Sequence, residues 1–348
     1  MNTLELTADA KAILLLCGRF GPGDNDPSAA PLAPSEYNQV ADWLVGRGMR
    51  PADLLALPAD GPPSGTAPPI DWGRLAALLK RGAALAFAVE KWLNSGIWVL
   101  CRSDTAYPAR LKQHLRKTAP PVLFGAGDLR LLTAGGLAIV GSRSASTEAL
   151  AFAALVGRRC AQENLAVVSG GARGVDEAAM LGALAAGGKA IGVLADRLGA
   201  TAVSGRFRDA LRADRLALVS PYSPEAVFSV GNAMGRNKLI YGLADFALVV
   251  SSEHKKGGTW AGAEEELRRP HPIPVFVRLS ADAPKGNREL LKLGARQFPD
   301  DALQGSLAAA LAQPPQPGAA IKHPPPTDRS PLLPLADDAP AAGKATEP

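Results

Sequence analysis

From residue 137 onward, short uninterrupted apolar runs recur at 137–140, 166–168, 190–194, 216–219, 246–250 and 274–277. Each is followed by a polar or glycine-rich turn and a segment of helical length. Runs apolar at every position predict strands buried on both faces, as in parallel sheets. The segments 147–162 and 176–186 predict helices. Repeated strand–helix alternation predicts an α/β class: an extended Rossmann-like, doubly wound, mainly parallel sheet. Ligands in such sheets sit beyond the carboxyl ends of the strands.

Upstream the pattern is helical. Residues 4–16 are densely apolar, 35–44 are amphipathic with Ser35 as the expected N-cap, and Pro51 opens a further helix. The helical pattern continues over 75–93. A Pro/Gly-rich stretch at 58–69 reads as a linker inside a small helical region, 1–94. The Rossmann-like body spans 95–300, a terminal helix 301–312, and a disordered or polyproline-like tail 313–348.

Composition narrows the function classes. The chain has 348 residues, 47% hydrophobic and 20% charged, enough to bury a large core. No run of about 18 apolar residues predicts a membrane span. The N-terminus lacks the basic start of a secretory signal. Cys17, Cys101 and Cys160 are far apart, and the four histidines have no ligand spacing, so neither a disulfide framework nor a metal site is expected. The expectation is a reduced, cytoplasmic protein. The formal charge is +5; the tail holds three basic and four acidic residues, leaving +6 on residues 1–312. A mildly basic body fits a polyanion partner and equally an ordinary soluble protein.

The candidate chemistry lies at the strand ends. Gly141-Ser142-Arg143 leaves one strand and enters a helix, where free N–H groups and an arginine fork suit phosphate. Ser169-Gly170-Gly171 with Arg173 repeats the arrangement. Asp176 reads as a first-turn carboxylate favoured by the helix dipole. Arg236, Asn237 and Lys238 precede the strand at 246–250. Lys255 and Lys256 with Gly257, Gly258 and Thr259 follow it. Taken singly, each is as readily a capped turn or a solvated charge. Together they place basic and glycine-rich segments on one edge of one sheet, more like a phosphate-backbone groove than a catalytic pocket. No dinucleotide fingerprint, Walker A motif or Gly-x-Ser-x-Gly elbow is present. The tryptophans, including Trp260 at the groove, read as core before stacking platforms.

The strings Ala138-Ile139-Val140-Gly141-Ser142-Arg143, Val168-Ser169-Gly170-Gly171-Ala172-Arg173-Gly174-Val175-Asp176 and Arg236-Asn237-Lys238-Leu239-Ile240 resemble the DprA/Smf family of DNA-processing proteins. So does the lead-in Tyr107-Pro108-Ala109-Arg110-Leu111 with Pro120-Pro121-Val122-Leu123-Phe124-Gly125. The resemblance covers roughly residues 95–280. It implies a single-stranded DNA-binding protein without catalytic activity or cofactor, protecting incoming strands and helping to load a RecA-type recombinase during natural transformation. It also implies a homodimer, and a DNA groove lined by Arg143, Arg236 and Lys238. The chain departs from the pattern at Met180, where histidine is common, at Lys238, where arginine is common, and in the turn 257–260. A proline-rich tail stands where many members carry a winged helix. These departures leave phage defence open as a setting.

An enzyme reading stands beside this one. Gly257-Gly258-Thr259 with Glu264 and Glu265 resembles the nucleoside-monophosphate phosphoribohydrolases of the lysine-decarboxylase-like family. Lys256 replaces the signature proline, and the glutamate spacing is longer.

Overall fold

In the computed structural model, residues 6–21, 29–58, 61–62, 67–299 and 301–314 are described. They divide into two compact units, one reaching Phe124 and including Pro221–Ser223, the other comprising Gly125–Ser220 and the described residues from Pro224. From residue 315 the expected tail lies outside the described residues.

The first unit contains α1 (Ala8–Cys17), α2 (Pro34–Val45), α3 (Trp72–Leu79), α4 (Gly82–Asn94), β1 (Ile97–Cys101) and α5 (Ala109–Leu115). Strand β2 (Val122–Gly127) carries the chain into the second unit. Ile13, Leu14 and Leu16 of α1, Tyr37 and Leu44 of α2, and Leu75 and Leu78 of α3 are buried. The helical pattern over 75–93 is carried by two helices, separated at Lys80 and Arg81. The expected cap also moves. Ala33 is the N-cap of α2, and Pro34 fills its first position, where a missing N–H costs nothing. Ser35 lies within the first turn, and Glu36 closes the end by accepting from the Ala33 N–H at 2.8 Å.

The second unit contains β3 (Leu137–Gly141), α6 (Thr147–Gln162), β4 (Val167–Ser169), α7 (Val175–Ala185), β5 (Ala190–Val193), α8 (Leu198–Val203), α9 (Arg208–Arg212) and β6 (Leu216–Ser220). It continues through α10 (Val230–Gly242), β7 (Phe246–Ser251), α11 (Gly257–Leu267), β8 (Val275–Val277), α12 (Lys285–Lys292), β9 (Arg296–Gln297) and α13 (Leu307–Ala312). Its strands run in the order β6-β5-β4-β3-β7-β8-β9. Every pairing from β6 to β9 is parallel. This is the Rossmann-like, mainly parallel sheet the apolar runs predict. The order reverses direction between the adjacent strands β3 and β7. That is the topological switch point, where such sheets open a crevice.

Two helices rise from the turns beside that crevice, α6 after β3 and α7 after β4. They approach so closely that glycines meet backbone. A Cβ at Gly157 would overlap the Ala179 carbonyl oxygen, and one at Gly182 would lie 2.8 Å from the Ala154 Cα. Gly157→Ala gains helix propensity of about 1 kcal/mol, yet forces two backbones apart. The expected net loss is about 1–3 kcal/mol, the usual cost of overpacking. Chemical denaturation reads it directly; a stabilised variant would show that the helices separate freely.

Candidate nucleic-acid interface

The turn after β3 sits at the switch point. The Ser142 N–H donates to the Ser251 carbonyl at the end of β7 at 2.9 Å. A Cβ at Gly141 would lie 2.6 Å from a Val175 methyl, so the turn fits only as glycine. The Ser142 hydroxyl accepts from the Ser144 N–H at 3.2 Å. Ser146 caps α6 by accepting from Ala149 N–H at 3.1 Å, and donates to Asp282 at 2.7 Å. Ser280 and Arg278 also donate to Asp282, and the bonds from Ser146, Ser280 and Arg278 hold that carboxyl well below the usual range. Arg143 is exposed, its guanidinium 5.0 Å from the centre of the Phe228 ring.

The second turn touches the first. Gly174 has φ +94°, and a Cβ there would lie 2.8 Å from the Arg143 Cα. The Val175 N–H donates to the Ser142 carbonyl at 3.4 Å. Arg173 is exposed. Ser169 is buried and donates its hydroxyl to the Ile139 carbonyl at 2.6 Å, so it braces β4 against β3. Gly170 is also buried, and Gly171 takes φ +63°.

Asp176 joins the two turns from beneath. One carboxylate oxygen accepts from Gly141 N–H at 3.3 Å, the other from Gly170 N–H at 3.1 Å. Burial pushes its carboxyl up to about 6, against the pull of Arg236 and of the N–H groups of Gly141, Gly170 and Ala172. Raised values of this kind gather at functional sites. Sequence reasoning assigned Asp176 only a dipole role; its partners are set by the tertiary fold.

On α10, Arg236 is only 4% exposed and donates to the Val193 carbonyl at the end of β5. A Cβ on Gly170 would overlap both its guanidinium and the Asp176 carboxylate. Asn237 donates to the Gly258 carbonyl at 2.9 Å, tying α10 to the start of α11. Lys238 is half-buried; burial lowers its ammonium's value, Glu265 opposes, and Arg269 adds to the fall. Lys255 (φ +54°) and Lys256 are exposed ahead of α11, while Gly258 and Thr259 are half-buried. Trp260 is buried, donating to Glu264 at 3.0 Å, with His254 edge-on at 4.9 Å.

The fold therefore brings the turns at 141–143 and 170–174 into contact, with Arg236 and Asp176 below them. Asn237 joins the 257–259 segment to α10. Arg143, Arg173, Lys255 and Lys256 project outward. Two features of the rim had no sequence signal. Val227, Phe228 and Val230 are 74%, 46% and 71% exposed, an apolar strip reaching Arg143. Arg197, exposed at the N-cap of α8, is held by its N–H to the Ala226 carbonyl at 2.9 Å.

Comparison with known proteins follows the same region. The family model of DNA recombination-mediator protein A matches residues 98–304. DNA processing protein DprA of Streptococcus pneumoniae is 34% identical over 178 residues, covering 50% of this chain and 62% of that protein. The chain thus matches less than two thirds of that relative's length. The X-ray structure of DNA processing protein A from Streptococcus pneumoniae superposes with a TM-score of 0.60 at 22% identity, over 84% of this chain and 95% of that one. DNA processing protein A from Helicobacter pylori, described for its unique single-stranded DNA binding mode, superposes with a TM-score of 0.51 at 23% identity, over 62% and 95%. Both likenesses are of fold.

Proposed function

Because the chain belongs to the DNA recombination-mediator protein A family, we propose that it binds single-stranded DNA across the sheet edge beyond β3 and β4. One observation carries the reading: two glycine turns in contact beside the switch point, each presenting an exposed arginine, Arg143 and Arg173. Lys255 and Lys256 extend the charge beyond β7. Phosphates meet the guanidinium forks and lysines, and few side chains are suited to base edges, so sequence preference is weak. Arg236, Asn237, Ser169 and Gly170 support the turns from within. Lys238 lies to the side, toward Glu265.

In this proposal the protein performs no catalysis and needs no cofactor. It shields strands entering the cell during transformation and delivers them to a RecA-type recombinase, working as a cytoplasmic homodimer. The helical region 1–94, the DNA-binding body 95–300 and the tail 313–348 remain its proposed divisions. No helix among the described residues is long and apolar enough to cross a membrane. The phosphoribohydrolase reading is less well supported. Glu264 is engaged by Trp260 and Arg268, and Glu265 by Arg269, all on or beside their own helix.

The test is a titration with oligo-dT across a salt series, set beside a nucleoside-monophosphate hydrolysis assay. Four contacts, from Arg143, Arg173, Lys255 and Lys256, give a log–log salt slope of about −3 on a single strand. A slope near zero, a preference for duplex, or release of free base overturns the proposal.

A further inference from the structure

The two turns that carry Arg143 and Arg173 belong to different strands, yet one carboxylate holds both. Gly141 N–H reaches one oxygen of Asp176 and Gly170 N–H the other, at 3.3 and 3.1 Å. Neither oxygen can be spared. A protonated carboxyl keeps one good acceptor and turns the other oxygen into a donor and a much weaker acceptor, and an amide replaces that oxygen with a donor outright, so one of the two N–H groups would have its bond weakened or lost. Arg236 lies beneath and anchors the assembly to β5 through the Val193 carbonyl. The space above Gly170 is shared by its guanidinium and the Asp176 carboxylate.

We propose that ionised Asp176 is a positioning residue for the phosphate groove, setting the spacing of Arg143 and Arg173 by holding both turns at once. The inference rests on the single-stranded DNA reading above. Asp176 itself touches no ligand, and Arg236 acts through it.

The groups facing Asp176 are few. From α10 come Arg236 and Tyr241, whose hydroxyl is itself pushed up by burial and by Glu266 and Asp176. From the turns come the N–H groups of Gly141, Gly170 and Ala172. On its own helix, the neighbouring Glu177 is paired with Arg206. With the carboxyl raised to about 6, acidification neutralises Asp176 within a range the protein can be assayed in. Fold stability and DNA affinity then move in opposite directions. A raised carboxyl adds stability that is full below its unfolded value and lost as pH rises through about 6. The groove geometry, by contrast, needs the ionised form.

The experiment measures oligo-dT affinity of the wild-type protein from pH 7.5 to 5.0, with thermal melting at each pH, and repeats it for Asp176→Asn. Thymine does not titrate in this range. The expected wild-type result is affinity falling by about tenfold below pH 6, the effect of losing a hydrogen bond to a charged group, with no fall in melting temperature. Asp176→Asn should bind weakly at every pH. Wild-type affinity that rises or stays level on acidification overturns the proposal, even if the variant does not fold. So does a folded Asp176→Asn that binds like wild type. Absence of wild-type binding at pH 7.5 overturns the DNA reading itself.

Discussion

Replacing Arg236 with methionine should cost about 3–5 kcal/mol of stability at pH 8, the usual effect of removing one partner from a buried charged pair. Methionine fills much of the same volume but supplies neither the charge beside Asp176 nor the donor to the Val193 carbonyl. What remains is a buried carboxylate held by N–H groups alone. Asp176 can escape by taking a proton, because losing the cation drives its value further up. The deficit should therefore shrink as pH falls, by at most about 1.4 kcal/mol per pH unit in the window where the variant's Asp176 is protonated and the wild type's is not. Urea denaturation of both proteins at pH 5 and pH 8 measures this. An equal deficit at the two pH values would separate Arg236 from Asp176.

Arg143→Ala should weaken oligo-dT binding by about 1.5–3 kcal/mol, roughly ten- to 150-fold, the range for a hydrogen bond to a charged group. The melting temperature should hold, since the side chain is exposed and rests on the Phe228 ring. Arg143→Lys should restore only part of the affinity, because lysine lacks the fork that grips two phosphate oxygens. Undiminished binding by the alanine variant in a gel-shift titration would remove Arg143 from the groove. The two arginines thus separate cleanly: one should move stability, the other affinity.

The sheet of the second unit was legible because its strands are buried on both faces, which leaves uninterrupted apolar runs such as 137–140 and 246–250. Strand β1 was not. Ile97–Cys101 follows the helical segment after only Asn94, Ser95 and Gly96, and a short apolar run does not distinguish strand from helix. Strand β9 is the pair Arg296–Gln297, with no apolar signal at all. At the candidate site, the glycine turns and exposed arginines were readable because their chemistry is local. The inward turn of Arg236 was not, because its partners, Gly170, Asp176 and Val193, come from distant parts of the chain. Ser169 illustrates the same limit: a hydroxyl at a glycine turn suits an anion, but the fold points it at Ile139.

The close approach of α6 and α7 has a kinetic consequence. Backbone meets backbone at Gly157 and Gly182, and each helix continues directly from one of the two turns. The bases of the two turns therefore stay together, and while Asp176 is ionised their order is established when the protein folds rather than when a strand arrives. A ligand meeting such a surface loses little to the ordering of protein groups. Association should then be a single concentration-dependent phase, accelerated at low ionic strength by attraction between the basic rim and the phosphates. Stopped-flow traces with a labelled oligonucleotide should show no slow isomerisation on the protein's side.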